Sequence, residues 1–256
     1  MRFAYKLLLC FLIFTPDLKA AVCEPFSPEE KTVFSITYLG ATAGSVSLGV
    51  DRAEKAWKFS ALAKTESIFI FFYSVNNAYE ALTNDISFTT RHFIAHIDES
   101  RQTGTTTQLF SDKKLHFDDN RLHKKKGQIL KIVDKEIPVN ALDVLTALQS
   151  VRREELSLGK TVEREVVIGE EAVTLRLKVE AEEDLNTKIG KVPSWVMNAS
   201  LIKDGAPKQI PESTLWIAKS GPHQILKIKA KIKIGSVIAY LRSYQAGNPL
   251  PNCLSN

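Results

Sequence analysis

Cysteine is scarce in this chain of 256 residues: there are three, and methionine occurs only twice. So few cysteines exclude a disulfide-dense scaffold and any closely spaced thiolate metal cluster. Long apolar runs are missing as well. The longest near the N-terminus, Leu7–Phe14, falls well short of the roughly 20 residues that a membrane-spanning helix needs, and no later stretch reaches that length. Also absent are a Gly-x-Ser-x-Gly elbow, a His-Glu-x-x-His helix, a P-loop and a dinucleotide-binding glycine fingerprint. Those gaps remove the common hydrolase, zinc-protease, nucleotide and nicotinamide readings, and no cofactor is implied.

What is present begins with a leader. Arg2 and Lys6 precede the short apolar run, Pro16 breaks it, and Ala20 and Ala21 offer a small-residue exit. This order is that of a secretory signal, so residues 1–20 are expected to be removed near Ala20, leaving one mainly β domain over 21–256 in the periplasm. Val22 before Cys23 argues against a lipidated cysteine. Loss of the leader takes three basic residues and one acidic, lowering the formal charge from +5 to +3. So mild an excess does not suit nucleic acid, whose binding needs dense phosphate neutralisation. The mature chain has no transmembrane anchor, and it keeps Cys23 and Cys253 near its two ends. In an oxidising compartment they can pair, and the chain-entropy account gives so long a loop about 4–5 kcal/mol before strain.

Alternation with period two dominates the rest, the mark of half-buried strands. Phe34, Ile36 and Tyr38 alternate, then Val46, Leu48 and Val50, then Trp57, Phe59, Ala61 and Ala63. Gly40 and Gly44 suit a turn or bulge with positive φ. A strand is expected between Ile86 and Ile97, and His123–Gly127 reads as a basic turn. One helix stands out over Ala141–Arg153, with Asn140 as its N-cap, Asp143 supporting the first turn, and Arg152 and Arg153 complementing the C-terminal dipole. The expected fold is therefore mainly β: an antiparallel curved sheet or half-barrel of many short strands, with one amphipathic helix inserted midway.

Candidate sites are few. Ile68–Tyr73 is apolar or aromatic throughout, which fits either a fully buried strand or an apolar loop plugging one end of the sheet. Phe69, Phe71, Phe72 and Tyr73, with Trp57 and Tyr79, could line a pocket for an apolar ligand or simply fill the core. Lys227, Lys229, Lys231 and Lys233 alternate with apolar residues, giving either a basic strip for anionic surfaces or a solvated face whose lysines guard an edge strand. His92 and His96, four residues apart on a strand, would stand about 13 Å apart and cannot share a metal ion. The acidic runs at Asp118-Asp119, Glu154-Glu155, Glu170-Glu171 and Glu182-Glu183-Asp184 are expected near turns, in solvent.

Several segments together resemble a bacterial secreted family known as domain of unknown function 3108. They are Phe34-Ser35-Ile36-Thr37-Tyr38-Leu39-Gly40 with Ala43-Gly44; Phe72-Tyr73-Ser74-Val75 leading to Tyr79-Glu80; Asp143-Val144-Leu145-Thr146-Ala147-Leu148; Leu215-Trp216; and Gly235-Ser236-Val237. The resemblance implies a Gram-negative envelope protein and no activity. Two functions follow as expectations. The first is a non-enzymatic binder or carrier of an apolar or lipid-like ligand, since a curved sheet with a helix on its concave side is, by fold analogy, the architecture of envelope lipid carriers. The second is a structural or assembly factor that contacts another envelope protein or the cell wall.

Overall fold

The structure, a computed structural model, describes residues 24–66, 69–232 and 234–248. Eight strands come first: β1 (Glu30–Tyr38), β2 (Ala41–Ala53), β3 (Ala56–Thr65), β4 (Asn76–Asn84), β5 (Thr90–Asp98), β6 (Gln102–Ser111), β7 (Lys114–His123) and β8 (Gly127–Glu136), with a single helical turn, α1 (Phe69–Phe72), between β3 and β4. The helix α2 (Val144–Ser150) and a 3-10 turn (Val151–Arg153) follow. Six more strands complete the chain: β9 (Thr161–Ile168), β10 (Glu171–Thr187), β11 (Gly190–Lys203), β12 (Ala206–Ala218), β13 (Ile225–Lys231) and β14 (Ser236–Gln245).

All fourteen strands form one antiparallel sheet in the order β8-β7-β6-β5-β4-β3-β2-β1-β14-β13-β12-β11-β10-β9. Each half is a meander of nearest neighbours, as short polar turns between alternating segments dictate. The first and last strands join the halves, with Lys31 opposite Gln245 and Tyr38 opposite Val237. The sheet is curved and unclosed. Side chains bridge its seam: Gln108 donates to the Gly169 backbone carbonyl (2.5 Å), Lys131 pairs with Glu170 (2.7 Å), and Val167 packs with Leu115 and Phe117.

Strand direction sorts the turns into two rims. The β2–β3, β4–β5, β6–β7, β10–β11 and β12–β13 turns share one rim with the segment entering α2. The β1–β2, β5–β6, β7–β8, β9–β10, β11–β12 and β13–β14 turns share the other with α1. The first is capped by α2, which crosses the inner face and packs on β3, β4 and β9.

The helix begins later than its sequence suggests. Asn140 takes a left-handed φ of 61°, and Leu142 exchanges backbone hydrogen bonds with Glu165 and Val167 of β9 (both 2.8 Å), so Leu142 is drawn into strand pairing. Asp143 is the N-cap: its carboxylate accepts from the Leu145 and Thr146 backbones (2.7 and 3.1 Å) and from the Thr90 hydroxyl (2.7 Å). Gly40 has the expected positive φ (81°) in the β1–β2 turn. Gly44 does not, and is needed for a close approach: an added Cβ would lie 2.2 Å from the Lys64 carbonyl oxygen. The acidic runs also differ from expectation. Asp118-Asp119 lies within β7, where Asp119 is buried, and Glu182-Glu183-Asp184 lies exposed within β10.

Arg152 holds the capped rim together. Its buried guanidinium donates to both Glu30 carboxylate oxygens (2.7 and 3.1 Å), to Gln149 (3.0 Å), and to the Pro25 and Pro222 carbonyls (2.8 and 3.1 Å), and it lies 4.9 Å from the Phe26 ring centre. Phe26 in turn packs against Trp57, Phe59 and Phe88. Cys23 and Cys253 lie outside the described residues, but their flanks meet: the Asn248 backbone donates to the Pro28 carbonyl (2.8 Å) and its side chain to Glu29 (2.9 Å).

Two outcomes are expected. Glu30→Ala leaves a buried guanidinium without its counter-charge and should lower the unfolding free energy by about 3–5 kcal/mol in urea titrations, whereas a loss under about 1 kcal/mol would remove the pair from its central role. In oxidised protein, neither Cys23 nor Cys253 should alkylate before reduction; labelling of both would dismiss the bridge.

Candidate functional site

Between α2 and the inner face of the sheet lies a cavity of about 300 Å³, at the lower end of the range of small-molecule sites, roughly 300–1,000 Å³. Its existence follows from a taper in side-chain size. Along β3 the inward residues run Trp57, Phe59, Ala61, Ala63 from the capped rim to the other, and β13 likewise passes from Leu226 and Ile228 to Ala230. Large residues fill the capped half; alanines leave room in the other. Leu145 and Leu148 of α2 form the floor. The lining reaches Ala63, Ala230 and Val237, within two residues of the strand ends, so the cavity opens at the uncapped rim.

The lining is apolar apart from one hydroxyl, that of Tyr79, which accepts a hydrogen bond from Asn77 (3.0 Å). Asn77 also donates to Glu99 (2.8 Å), and Glu99 further accepts from the Tyr73 hydroxyl (2.6 Å) and Gln102 (3.1 Å). Arg121 extends this network by donating to Gln102 (3.1 Å) and pairing with buried Asp119 (2.5 Å). Burial alone would raise the Glu99 carboxyl, but the hydrogen bonds from Tyr73, Asn77 and Gln102 and the charge of Arg121 outweigh it, holding the group below its ordinary value. The Tyr73 hydroxyl is pushed up, chiefly by its bond to Glu99. The Tyr79 hydroxyl is pushed up chiefly by burial. This network ties α1 to the β5–β6 turn beside the cavity mouth.

The family described as "Protein of unknown function (DUF3108)" matches residues 33–242, which span both meanders and the helix. The chain belongs to this family. No functionally curated protein matches it in sequence. Among solved structures, a β-barrel-like protein of domain of unknown function DUF1849 from Brucella abortus is similar in fold, with a TM-score of 0.60 at 9% identity over 88% of this chain and 100% of that one. A provisionally designated exported protein of Bacteroides fragilis with a YmcC-like fold is more distant, with a TM-score of 0.36 at 7% identity over 87% of this chain and 98% of that one. So is a provisionally designated lipoprotein of Parabacteroides distasonis, with a TM-score of 0.33 at 9% identity over 87% and 99%. The Brucella protein shares its fold with this DUF3108 member, and that likeness extends to the fold alone.

The aromatic candidates divide. Tyr79 lines the cavity. Trp57 is fully buried beneath it, in the cluster around Phe26. Phe69, Phe71 and Phe72 form α1 at the open rim: Phe69 meets the Tyr38 ring at 6.4 Å, and Phe71 and Phe72 are 90% and 78% exposed. Ile68 lies outside the described residues; from Phe69 to Tyr73 the apolar run is neither a buried strand nor a plug, because a helical turn between β3 and β4 directs two of its rings outward. Tyr73 anchors that turn through Glu99.

The lysine row also changes meaning. β13 lies between β12 and β14, so its lysines guard no edge. The Lys227 ammonium sits 4.0 Å from the Trp216 ring centre and 5.1 Å from that of Tyr240, while Lys229 and Lys231 are exposed and Lys233 lies outside the described residues. His92 and His96 face an outer groove with Ser60 and Ala78. A larger cleft of about 800 Å³ at the capped rim is charged, but its charges are paired: Arg153 with Glu24 and Arg164 with Glu154 within the lining, and Arg152 with buried Glu30 behind it. The cavity itself is missed by reading large residues alone; its signal is the pair of successive inward alanines on β3, Ala61 and Ala63, with Ala230 on β13 and Ala239 on β14.

The Glu99 network carries a pH dependence of definite sign. A carboxyl held below its ordinary value of 4.5 contributes stability above that pH and loses it as pH falls through the lowered value. Amide exchange in residues 69–75, compared with a Glu99→Gln variant under the same conditions, should show several-fold greater protection in the natural protein at neutral pH. The difference should vanish in acid. Equal protection at every pH would exclude the network as the anchor of α1.

Proposed function

We propose that this DUF3108 member is a non-enzymatic binding or carrier protein of the bacterial envelope, holding an apolar or lipid-like ligand in the cavity between α2 and the sheet. One observation carries the reading: a cavity with a single polar group in its lining, open at one rim and floored by an amphipathic helix. Such a site favours ligands that gain by leaving water and offers no fixed charge to orient a polar one. The non-enzymatic part rests on the same lining, whose one titratable group, Tyr79, is bonded to Asn77. Export through a cleaved leader over 1–20 rests on the basic end, short apolar run and small-residue exit of that segment. Among the described residues no helix is long and apolar enough to cross a membrane.

A second reading, an assembly factor, draws on β8. This edge strand shows Leu130 and Ile132 71% and 67% exposed, and its outer side has no backbone partner among the described residues. Such an edge accepts an added strand. In-cell crosslinking from Ile132 would find a stoichiometric envelope partner if this reading holds.

The carrier reading is tested with N-phenyl-1-naphthylamine, an apolar dye that fluoresces when desolvated. Ala63→Leu with Ala230→Leu fills the mouth, and with about 0.8 kcal/mol for each displaced methylene the dye should bind about tenfold more weakly or worse. The urea midpoint should stay unchanged, since the added groups enter open space. Equal dye affinity in both proteins would sink the cavity as the ligand site.

A further inference from the structure

The open rim carries apolar residues where a soluble domain would place polar ones. Phe71 (90% exposed), Phe72 (78%) and Ile70 (50%) crown α1; Leu39 (68%) tips the β1–β2 turn; Ile234 (66%) tips the β13–β14 turn. They form one surface. Leu39 Cδ2 lies 3.1 Å from the position of a Cβ on Gly235, and the rings of Tyr38 and Phe69 meet at 6.4 Å. Leu39 also holds a positive φ of 49° beside Gly40, a place that ordinarily takes Asn, Asp or Gly. Strain is thus tolerated to display a leucine.

Contacts continue the same surface into a basic flank. Arg101 lies 5.6 Å from the Tyr73 ring centre, its carbonyl accepts from the Lys124 backbone (2.9 Å), and Lys124, Lys125 and Lys126 are all exposed. The acidic residues nearby are engaged: Glu66 by Ser45 (2.6 Å), Asp98 by Asn76 (3.4 Å) and Glu99 by Tyr73 (2.6 Å). Protruding aromatic and aliphatic side chains beside a row of cations match the interfacial region of a bilayer, with acyl chains below and anionic headgroups above. They do not match a strand-adding partner, because the sheet's free edges run along β8 and β9, not along this rim.

We infer that the open rim docks this protein on an anionic lipid surface, with Leu39, Ile70, Phe71, Phe72 and Ile234 entering the interface and Arg101 and Lys124–Lys126 facing the headgroups. Docking goes beyond ligand binding and stands without it, but where both hold it sets the cavity mouth, at Ala63, Ala230 and Val237, against the bilayer. A hydrophobic ligand then passes between membrane and protein without crossing water.

The test is sedimentation of the leader-free protein with vesicles of phosphatidylcholine alone and with phosphatidylglycerol added. Binding should require phosphatidylglycerol and weaken with salt, as exposed charges are screened. Phe71→Ser/Phe72→Ser and Lys124→Gln/Lys125→Gln/Lys126→Gln should each weaken it about tenfold or more, with unchanged urea midpoints. The mouth-filled Ala63→Leu/Ala230→Leu protein should bind vesicles as the natural one does, so docking and ligand binding fail separately. No vesicle binding, or binding indifferent to the phenylalanines, overturns the proposal. So does a dimer in light scattering that Phe71→Ser/Phe72→Ser dissolves without any vesicle binding, which would make the rim a face for a second copy.

Discussion

A buried guanidinium organises this protein. Arg152 joins three parts of the chain that the sheet alone leaves loose: the entering segment at Pro25 and Glu30, the end of the helix at Gln149, and the β12–β13 turn at Pro222. A planar fork can serve several acceptors in one plane and stack on a ring at once; the Phe26 ring beneath it is the second half of that arrangement. A lysine could hold one or two of these partners. Two charges withdrawn from water offset their desolvation only when every donor finds an acceptor, and the arrangement around Arg152 meets that condition. Large side chains fill the interior behind this cluster, and room inside the sheet is left toward the other rim.

The distribution of volume then decides what the interior can do. Trp57, Phe59, Leu226 and Val151 pack the capped half, whereas Ala61, Ala63, Ala230 and Ala239 line the open half. The same strands are therefore core at one end and vessel wall at the other. The polar network of Asn77, Glu99, Tyr73 and Gln102 stands beside the mouth, where a carboxylate can keep hydrogen-bond donors on all sides without sitting in the apolar lining. It fixes α1, and α1 presents the exposed rings.

Much of this was legible in the sequence, and the rest was hidden for identifiable reasons. Period-two alternation located most of the strands from Phe34 onward, though not β8, and the curved antiparallel sheet with one inserted helix followed. The helix start was misplaced because Leu142 pairs with β9, a long-range contact that local capping signals at Asn140 cannot report. Arg152 looked like an ordinary charge at a helix C-terminus; that signature is the same whether the guanidinium is solvated or buried. The aromatic run at Phe69–Tyr73 was conspicuous, but its direction depended on a turn of helix too short to leave a period. Alternation likewise says that Ala61 and Ala63 face inward, but not that nothing fills the space before them.

The pairing of β1 with β14 has a temporal consequence. Thr37 and Ile238 stand 201 positions apart, and each meander is built almost wholly from neighbours in sequence. The halves can therefore assemble quickly from local contacts, while their union waits on the slow search that distant partners impose. Until the ten residues of β14 are available, one side of β1 stays an unpaired strand edge, the form of exposed backbone most prone to joining a neighbour. Under the export proposed above, the chain would cross a membrane unfolded and meet this interval on the far side, with β1 the segment a holding chaperone would need to shield.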